Sequence, residues 1–380
     1  MKKTLSLKFT ALAAASVLAL ISPHAHAASA TWTGATSGVW ANNANWTAAF
    51  PNSTADVATF NNNVNTAITL NGTGIGVNQL IFDTASVGSF TFGASDNTFT
   101  VSATGNNILM TSTVGAVTQT FNEEIRLLGA SSITNDSTGG SFNFAAGFSY
   151  ATGINRSISF LGSGSGNHTV GFINQTAAGV ASVVINGGAN NKWTFTGNND
   201  YSGTTTVTTG TLVIDGNQSS ATGTVSVASG ATLGGSGTIG GATNLSGTLA
   251  AGNSAGTLTF ASDLNVNNGS TVLFEAGDLI NVNGVLDLNN SWTLNLQSGA
   301  NWQLGGSTVI FDYATLAASP FLTPTFIDNT GLGGSLSLID NGSAIVLNGY
   351  SVVPEPSTWA MLAIGLTTLT IFRRRSARLS

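Results

Sequence analysis

The sequence has no cysteine and unusually few charged residues. Of its 380 residues, only 7% are Asp, Glu, Lys or Arg, whereas charged residues make up about 25% of an ordinary globular protein. The absence of cysteine excludes disulfide bonds, thiolate nucleophiles and thiolate metal ligands. Because a protein can be exported without disulfides, the composition permits an extracellular location.

Basic residues are nearly absent from the central part of the chain. Between residues 31 and 350 there are three, Arg126, Arg156 and Lys192, against fifteen Asp and Glu, which gives a net charge of −12. Proteins that bind nucleic acids need a basic surface to contact phosphates. We therefore expect no nucleic-acid partner.

Long hydrophobic runs are also missing between residues 31 and 350, where no stretch approaches the roughly 20 apolar residues of a membrane-spanning helix. Instead, short runs such as VNQLIF and SFNF alternate apolar with polar residues and are bounded by Gly or Asn. This alternation predicts β-strands, and the 20 Phe argue against disorder. The most charged run, FNEEIRLLGA at 121–130, is interpreted as a strand whose charges face water.

The clearest repeat lies at residues 192–241. Gly203, Val207 and Gly210 recur about 20 residues later as Gly223, Val227 and Gly230, a period typical of solenoid coils. The stretch resembles the autotransporter-associated β-strand repeat found in bacterial surface proteins. This resemblance implies an all-β fold, a right-handed parallel β-helix (β-solenoid) whose body spans residues 64–350.

Looser units follow the repeat. The segment 276–302 resembles the strand series that closes such β-helices, with Asp278, Asn281 and Gly284 in the family's pattern. The runs STVIFDYATLAASPF and SAIVLNGY are predicted to be the last strands of the same architecture. Residues 151–191 are the least regular section, and LGSGSGNHTVG and VINGGANN are predicted to be loops.

Residues 28–63 are rich in tryptophan and are predicted to cap the first coil. The order W…W…NW…P…D…A…F resembles the opening segment of exported proteins that carry this repeat. An open solenoid end exposes apolar residues and strand edges, which large aromatic side chains can cover. The alternative is that these rings stack on sugars. The residues that would contact a glycan are then Trp32, Trp40 and Trp46.

Residues 1–27 have the features of a secretory signal peptide. Three lysines in the first eight residues precede the apolar run FTALAAASVLALI, and the small residues Ala25 and Ala27 form an A-x-A cleavage site. The alternative, a short N-terminal anchor helix, does not explain the cleavage site. We therefore expect export with removal by signal peptidase.

The composition changes abruptly at residues 351–380. A Pro-Glu-Pro motif precedes a predicted short hydrophobic transmembrane helix at 357–372 and an arginine-rich end. Tryptophan and arginine are typical of the two membrane borders. The motif and border residues are Pro354, Glu355, Pro356, Trp359, Arg373, Arg374 and Arg375.

This three-part end resembles the PEP-CTERM sorting signal of Gram-negative bacteria. The resemblance implies recognition by an exosortase, a membrane protease that removes the tail. The released protein would then be associated with the cell surface or an exopolysaccharide matrix. The alternative is a plain C-terminal membrane anchor.

The sequence contains no recognisable catalytic or metal-binding motif. Parallel β-helices include glycan-degrading enzymes, but the acids show no spacing that places two of them across a sugar. The calcium nonapeptide, HExxH and EF-hand patterns are absent. His168, the only histidine between residues 31 and 350, is predicted to be a solvated loop residue. We therefore predict no enzyme activity, no cofactor and no metal.

The sequence predicts an exported β-helix protein with a structural or adhesive role at the cell surface or in the extracellular matrix. Its expected partners are signal peptidase, an exosortase-like enzyme and exopolysaccharide or other surface glycans. The C-terminal helix would place it in the inner membrane until the tail is processed. The alternatives are a glycan-binding surface module and a glycan-degrading β-helix enzyme.

Overall fold

A computed structural model describes residues 29–70, 74–93, 98–102, 105–150, 155–175, 180–252, 255–298, 302–318 and 320–352. These residues form 35 β-strands, numbered here in chain order, and one short 3-10 helix, Asn43–Asn45. Within the described ranges, no helix has the length and apolar character needed to cross a membrane. The predicted signal peptide and the predicted tail from residue 354 onward lie outside these ranges.

The chain winds into coils that have three faces, and most coils contribute one strand to each face. The first face contains β1 (Ser29–Thr31), β2 (Val57–Phe60), β5 (Gln79–Phe82), β8 (Asn106–Met110), β11 (Ser131–Asn135), β14 (Arg156–Gly162), β17 (Ala181–Gly187), β19 (Thr205–Thr209), β22 (Val225–Val227), β25 (Thr243–Leu245) and β28 (Leu264–Val266). The second face contains β3 (Ala67–Ile68), β6 (Thr91–Phe92), β9 (Thr118–Phe121), β12 (Ser141–Phe144), β15 (Gly166–Val170), β18 (Asn191–Phe195), β20 (Thr211–Ile214), β23 (Thr232–Gly235), β26 (Thr248–Ala251), β29 (Thr271–Phe274), β31 (Thr293–Leu296) and β33 (Thr325–Asp328).

The third face has two groups of strands. The first group contains β4 (Ile75–Val77), β7 (Phe99–Val101), β10 (Ile125–Leu127), β13 (Phe148–Tyr150) and β16 (Ile173–Asn174). The second contains β21 (Asn217–Gln218), β24 (Thr238–Ile239) and β27 (Thr257–Phe260), which continue into β30 (Leu279–Asp287) and β32 (Trp302–Leu316). Two further strands, β34 (Ser337–Asp340) and β35 (Ala344–Val352), end the described chain.

Strands on each face pair in parallel with the equivalent strands of the neighbouring coils. The second face alone is a sheet of twelve strands. The step between paired residues varies from 16 residues (Gly234 to Ala250) to 32 residues (Asn295 to Ile327). This pairing confirms the predicted all-β solenoid, with coils of unequal length.

The interior is filled by every second residue of each strand. Many strands, including β2, β5, β12 and β29, alternate between half-buried and buried positions. Because the register is kept from coil to coil, like residues stack: the Phe92 and Phe121 rings lie 4.7 Å apart, and the Phe121 and Phe144 rings 5.0 Å apart, nearly parallel in both pairs. This continuous apolar column replaces the core of a globular domain.

The recurring glycines of the 192–241 repeat have two separate roles. A β-carbon placed on Gly223 would lie 1.9 Å from the carbonyl oxygen of Gly203, and one on Gly241 would lie 1.8 Å from that of Gly223. These glycines let one coil approach the next. By contrast, Gly210 and Gly230 have positive φ angles of 81° and 85°, which glycine adopts most readily. A β-carbon on Gly230 would meet nothing within 4 Å, so its backbone conformation alone favours glycine there.

The structure differs from the prediction at residues 151–191. The described residues of this section contain the strands β14, β15, β16 and β17, and β18 begins at its end, although the Gly, Ser and Asn content is typical of loops. Its strands are stabilised by pairing with neighbouring coils, as in the seven residue pairs between β14 and β17. The composition of a segment does not show that a strand of the neighbouring coil pairs with it.

The C-terminal end also differs from the predicted repeat of parallel strands. β35 runs antiparallel to both β32 and β34. Alternation of apolar residues predicts a strand but not its direction. The missed signal is Asn341-Gly342 between β34 and β35, because this dipeptide between two alternating runs is typical of an antiparallel hairpin. Exposed large hydrophobic side chains concentrate in this part of the described chain: Leu304, Val309, Leu322, Ile327 and Ile339.

We predict that Gly223→Ala destabilises the solenoid by about 1 to 3 kcal/mol or more, because the added methyl group must displace the Gly203 carbonyl. The measurement is the free energy of unfolding in urea. The matched control is Gly76→Ala, since a β-carbon at Gly76 meets nothing within 4 Å. Equal stability of the two variants would contradict the close-approach role.

Candidate functional site

The third face is interrupted between β16 and β21. The coil that passes from β18 to β19 places no strand there; its residues 196–204 cross the face as an irregular segment. The segment remains joined to its neighbours through the backbone, because the Asn199 N–H donates to the Asn217 carbonyl (3.2 Å). The missing strand leaves a depression on the side of the solenoid.

This depression, the interruption groove, has a volume of about 640 Å³. Binding sites for small molecules commonly have about 300–1,000 Å³. Four consecutive coils contribute to it, and its lining is Ala145, Gly171, Phe172, Asn174, Thr196, Gly197, Asn198, Asn199, Asp200, Asn217, Ser219 and Ser220. The groove is therefore large enough for a ligand and is lined mainly by amide and hydroxyl groups.

Glycines keep the groove open where the coils turn away from the second face. A β-carbon on Gly197 would lie 1.5 Å from the carbonyl oxygen of Gly171, and one on Gly216 would lie 2.1 Å from that of Gly197. Only glycine allows this stacking. Stacked glycines also leave backbone, rather than side chains, at this edge of the groove.

The floor of the groove is fixed by two buried amides. Asn199 is 1% exposed and Gln218 is 3% exposed. The Asn199 Oδ1 accepts the Ile173 N–H, the Asn199 Nδ2 donates to Gln218 Oε1 (2.6 Å), and the Gln218 Nε2 donates to the Gly197 carbonyl (3.1 Å). These bonds connect three coils across the interruption, so the floor is held in one arrangement.

The rim carries polar groups that the described chain does not use. Asp200 accepts the Gln175 N–H through Oδ1 (2.7 Å), and Asn217 accepts the Ser219 N–H through Oδ1 (2.8 Å). Among the described residues, no side-chain hydrogen bond is made by Asp200 Oδ2, by Asn217 Nδ2 or by the amide of Asn198. These donors and acceptors face solvent and are available to a ligand.

The groove has acidic rather than basic character. Of the described residues that line it, Asp200 alone is ionisable. The surrounding body carries three basic residues against fifteen acids. An anionic ligand would therefore meet a repulsive field here, whereas an uncharged one would not.

The three tryptophans predicted as cap or glycan contacts are buried. Trp32 and Trp40 are fully buried, and Trp46 is 5% exposed. Their rings pack edge to face, with centroids 5.1 Å apart for Trp32 and Trp46 and 4.7 Å for Trp40 and Trp46, and all three contact Phe60. A sugar needs an open ring face for stacking, and these rings are covered by protein.

The indole nitrogens of these tryptophans are satisfied as well. Trp32 Nε1 donates to the Val64 carbonyl (2.9 Å), Trp40 Nε1 to the Pro51 carbonyl (2.8 Å) and Trp46 Nε1 to the Trp40 carbonyl (2.8 Å). The cluster therefore closes the N-terminal end of the column of aromatic side chains.

His168 is buried, which corrects the prediction that it is a solvated loop residue. It lies in β15, is 0% exposed, and its ring stacks on Trp193 with centroids 4.1 Å apart. The Phe142 N–H donates to His168 Nδ1 (3.0 Å). The ring therefore acts as a neutral hydrogen-bond acceptor in the core, and burial lowers the pKa of His168 to about 4.

Asp278, which lies in the family's sequence pattern, is a buried acidic residue, with 4% of its surface exposed. Its Oδ2 accepts the Glu275 N–H (2.8 Å) and its Oδ1 accepts the Gly256 N–H (3.2 Å). Burial raises the pKa of Asp278 to about 7 despite these bonds. The residue connects two coils and is closed to solvent.

The remaining predicted residues are either on the surface or outside the described ranges. The run 121–130, predicted to be one strand with its charges facing water, is divided: β9 ends at Phe121 and β10 begins at Ile125. Arg126 is exposed on β10, whereas Glu123 and Glu124 lie between the two strands and are half-buried. Ala25, Ala27 and the predicted sorting residues from Pro354 to Arg375 are outside the described residues. No sequence motif marks the interruption groove: the coil step there, 19 residues from Trp193 to Leu212, is longer than the 16-residue step from Gly234 to Ala250, where the third-face strand β24 is present.

Comparison with known proteins supports the predicted family resemblance. A family model described as the PEP-CTERM protein-sorting motif matches residues 352–376. A stretch of 67 residues, 17% of the chain, is 58% identical to a protein named adhesin BmaC autotransporter from Brucella suis biovar 1 (strain 1330). The chain spans 2% of the length of that relative. The chain thus carries a PEP-CTERM sorting motif on a β-solenoid with similarity to an autotransporter, and these findings indicate an exported cell-surface protein.

We predict that His168 and Asp278 give the stability of the protein opposite dependences on pH. Between about pH 4 and 6.5 the unfolded chain binds a proton at His168 and the folded chain does not, so stability falls as the pH is lowered. This effect amounts to about 3 kcal/mol. For Asp278 the folded chain keeps its proton up to about pH 7, so stability falls as the pH is raised.

The measurement is urea unfolding of His168→Gln and Asp278→Asn beside the unmodified protein at about pH 4 and about pH 7. Gln is a matched replacement because Gln119 accepts the Phe90 N–H in the same column of the second face. The first variant should lose less stability on acidification, and the second should lose more. Parallel pH curves for all three proteins would contradict both assignments.

Proposed function

We propose that this chain is a non-catalytic rod of the cell surface or extracellular matrix of a Gram-negative bacterium, with a structural or adhesive role. In this proposal, signal peptidase removes residues 1–27, and segment 357–372 holds the protein in the inner membrane. An exosortase-like protease then recognises the Pro354–Pro356 motif and removes the tail.

The sorting motif is the observation that carries this proposal, because it matches residues 352–376 directly after the solenoid. Val352, the last described residue, pairs with Trp302 at the C-terminal end of the solenoid. The tail therefore leaves from one end of the rod. A protein held by that end would present its long faces and its tryptophan-closed end away from the membrane.

The shape supports a structural role. Each strand of the twelve-stranded second face is hydrogen-bonded to the strands of the coils beside it, and the apolar column runs through the coils without a break. Bending such a rod would require many backbone hydrogen bonds to lengthen together. A stiff acidic rod without basic patches is suited to a surface or matrix component rather than to nucleic-acid binding.

An adhesive role is supported by the similarity to a protein named as an adhesin. Adhesion needs an exposed surface that recognises a partner, and exopolysaccharide or another surface glycan is the partner that we propose. The buried tryptophans do not provide that surface. The interruption groove is a concave, polar surface that is available instead.

We predict that replacing Pro354, Glu355 and Pro356 together with alanine leaves the tail attached. The variant should be retained in the membrane fraction, because the processing enzyme would lack its recognition motif. The measurement is cell fractionation combined with the mass of the mature protein, which reports both ends of the chain.

The matched control is Ser357→Ala with Thr358→Ala, which changes two residues beside the motif and keeps its prolines. This control should be processed like the unmodified protein. Normal removal of the tail from the triple-alanine variant would contradict sorting by this motif. Retention of the unmodified protein together with both variants would mean that the segment acts as a plain anchor.

A further inference from the structure

The interruption groove combines features that point to one class of ligand. It is open along the side of the rod and receives residues from four coils, which stack about 4.8 Å apart. Its length therefore runs along the rod and suits an extended chain more than a compact molecule. Its floor is fixed by the Asn199–Gln218 bonds, so a ligand would meet a preformed surface.

The polar groups on the rim of the groove are suited to hydrogen bonding with hydroxyl groups. The free groups are the Asn198 amide, the Asn217 Nδ2 and the Asp200 Oδ2, which together provide donors and acceptors. Hydroxyl groups both donate and accept, so a sugar can pair with every one of them. Phe172, which is half-buried in the lining, adds an apolar surface of the kind against which sugar C–H groups pack.

The charge of the groove favours uncharged glycans over acidic ones. The described lining has one carboxylate and no cation, within a body of net charge −12. A polyuronate or a sulfated glycan would be repelled, and its charges would find no partner. An uncharged chain avoids this cost.

We infer that the interruption groove binds an uncharged polysaccharide strand laid along the rod, across the coils that carry Asp200 and Asn217. This site deepens the proposed adhesive role and rests on it. It differs from the tryptophan cluster in position and chemistry. Its recognition depends on amide and carboxylate groups at a break in the repeat.

The test is calorimetric titration of the secreted protein with uncharged oligosaccharides, using maltohexaose, cellohexaose and mannohexaose, beside oligogalacturonate as the charged probe. At least one uncharged probe should bind, with little dependence on salt, and the charged probe should not. Asn217→Ala and Asp200→Asn should each weaken binding about fivefold or more through the loss of a hydrogen bond. Asn198→Trp should abolish binding by filling the groove.

The matched control is Asn61→Ala, an exposed asparagine in a coil remote from the groove, which should bind like the unmodified protein. Thermal unfolding of each variant checks that the fold is kept. No binding of any uncharged probe, preference for oligogalacturonate, or unchanged affinity in Asn198→Trp would overturn the inference. Competition of the sugar by an extended peptide that binds more tightly would also overturn it.

Fractionation of cells that produce Asn198→Trp separates this inference from the proposed function. Normal export and tail removal with lost glycan binding would support the groove and leave sorting intact. Failure of the triple-alanine test, with glycan binding by the purified protein retained, would contradict the sorting proposal alone.

Discussion

The structure depends on the register between coils. Every coil must lie about 4.8 Å from the next and place its strands directly over those of its neighbour, so each position along the chain is in contact with its equivalents above and below. Gly203, Gly223 and Gly241 show how strict this requirement is, because the carbonyl of one coil occupies the space that a β-carbon of the next would need. The sequence repeats because equivalent positions in successive coils meet the same packing requirement.

The same constraint explains why charged residues are rare. In a parallel register, a charge repeated at equivalent positions would face a like charge in each adjacent coil, which is destabilising. Amides and hydroxyls can instead bond to their own kind: Asn265 Nδ2 donates to Asn244 Oδ1 (3.0 Å), and Thr169 Oγ1 donates to Asn143 Oδ1 (2.6 Å). A surface rich in Asn, Thr and Ser is therefore a consequence of stacking, and it gives the rod a surface for hydrogen bonding.

The sequence predicts those features of the fold that depend on residues close together in the chain. Alternation located most strands, and the repeated Gly203 and Gly223 indicated the coil, because both patterns appear within about 20 residues. The burial of His168 and the strands around it were missed, since their stabilising partners lie one coil away and their composition is that of loops. The antiparallel pairing of β35 with β32 and the interruption groove likewise involve segments far apart in the chain, which a single sequence does not display.

A perfect solenoid would present the same surface at every coil and could not recognise a ligand at one place. Recognition requires a break in the repeat, and a break is tolerated only where the backbone and the core are repaired locally. The coil of residues 196–204 meets both conditions: Asn199 and Gln218 replace the missing strand bonds, and the neighbouring Trp193 stays fully buried in the core. Regular coils thus supply stiffness, and the third-face crossing at residues 196–204, which contains no strand, supplies a distinct surface.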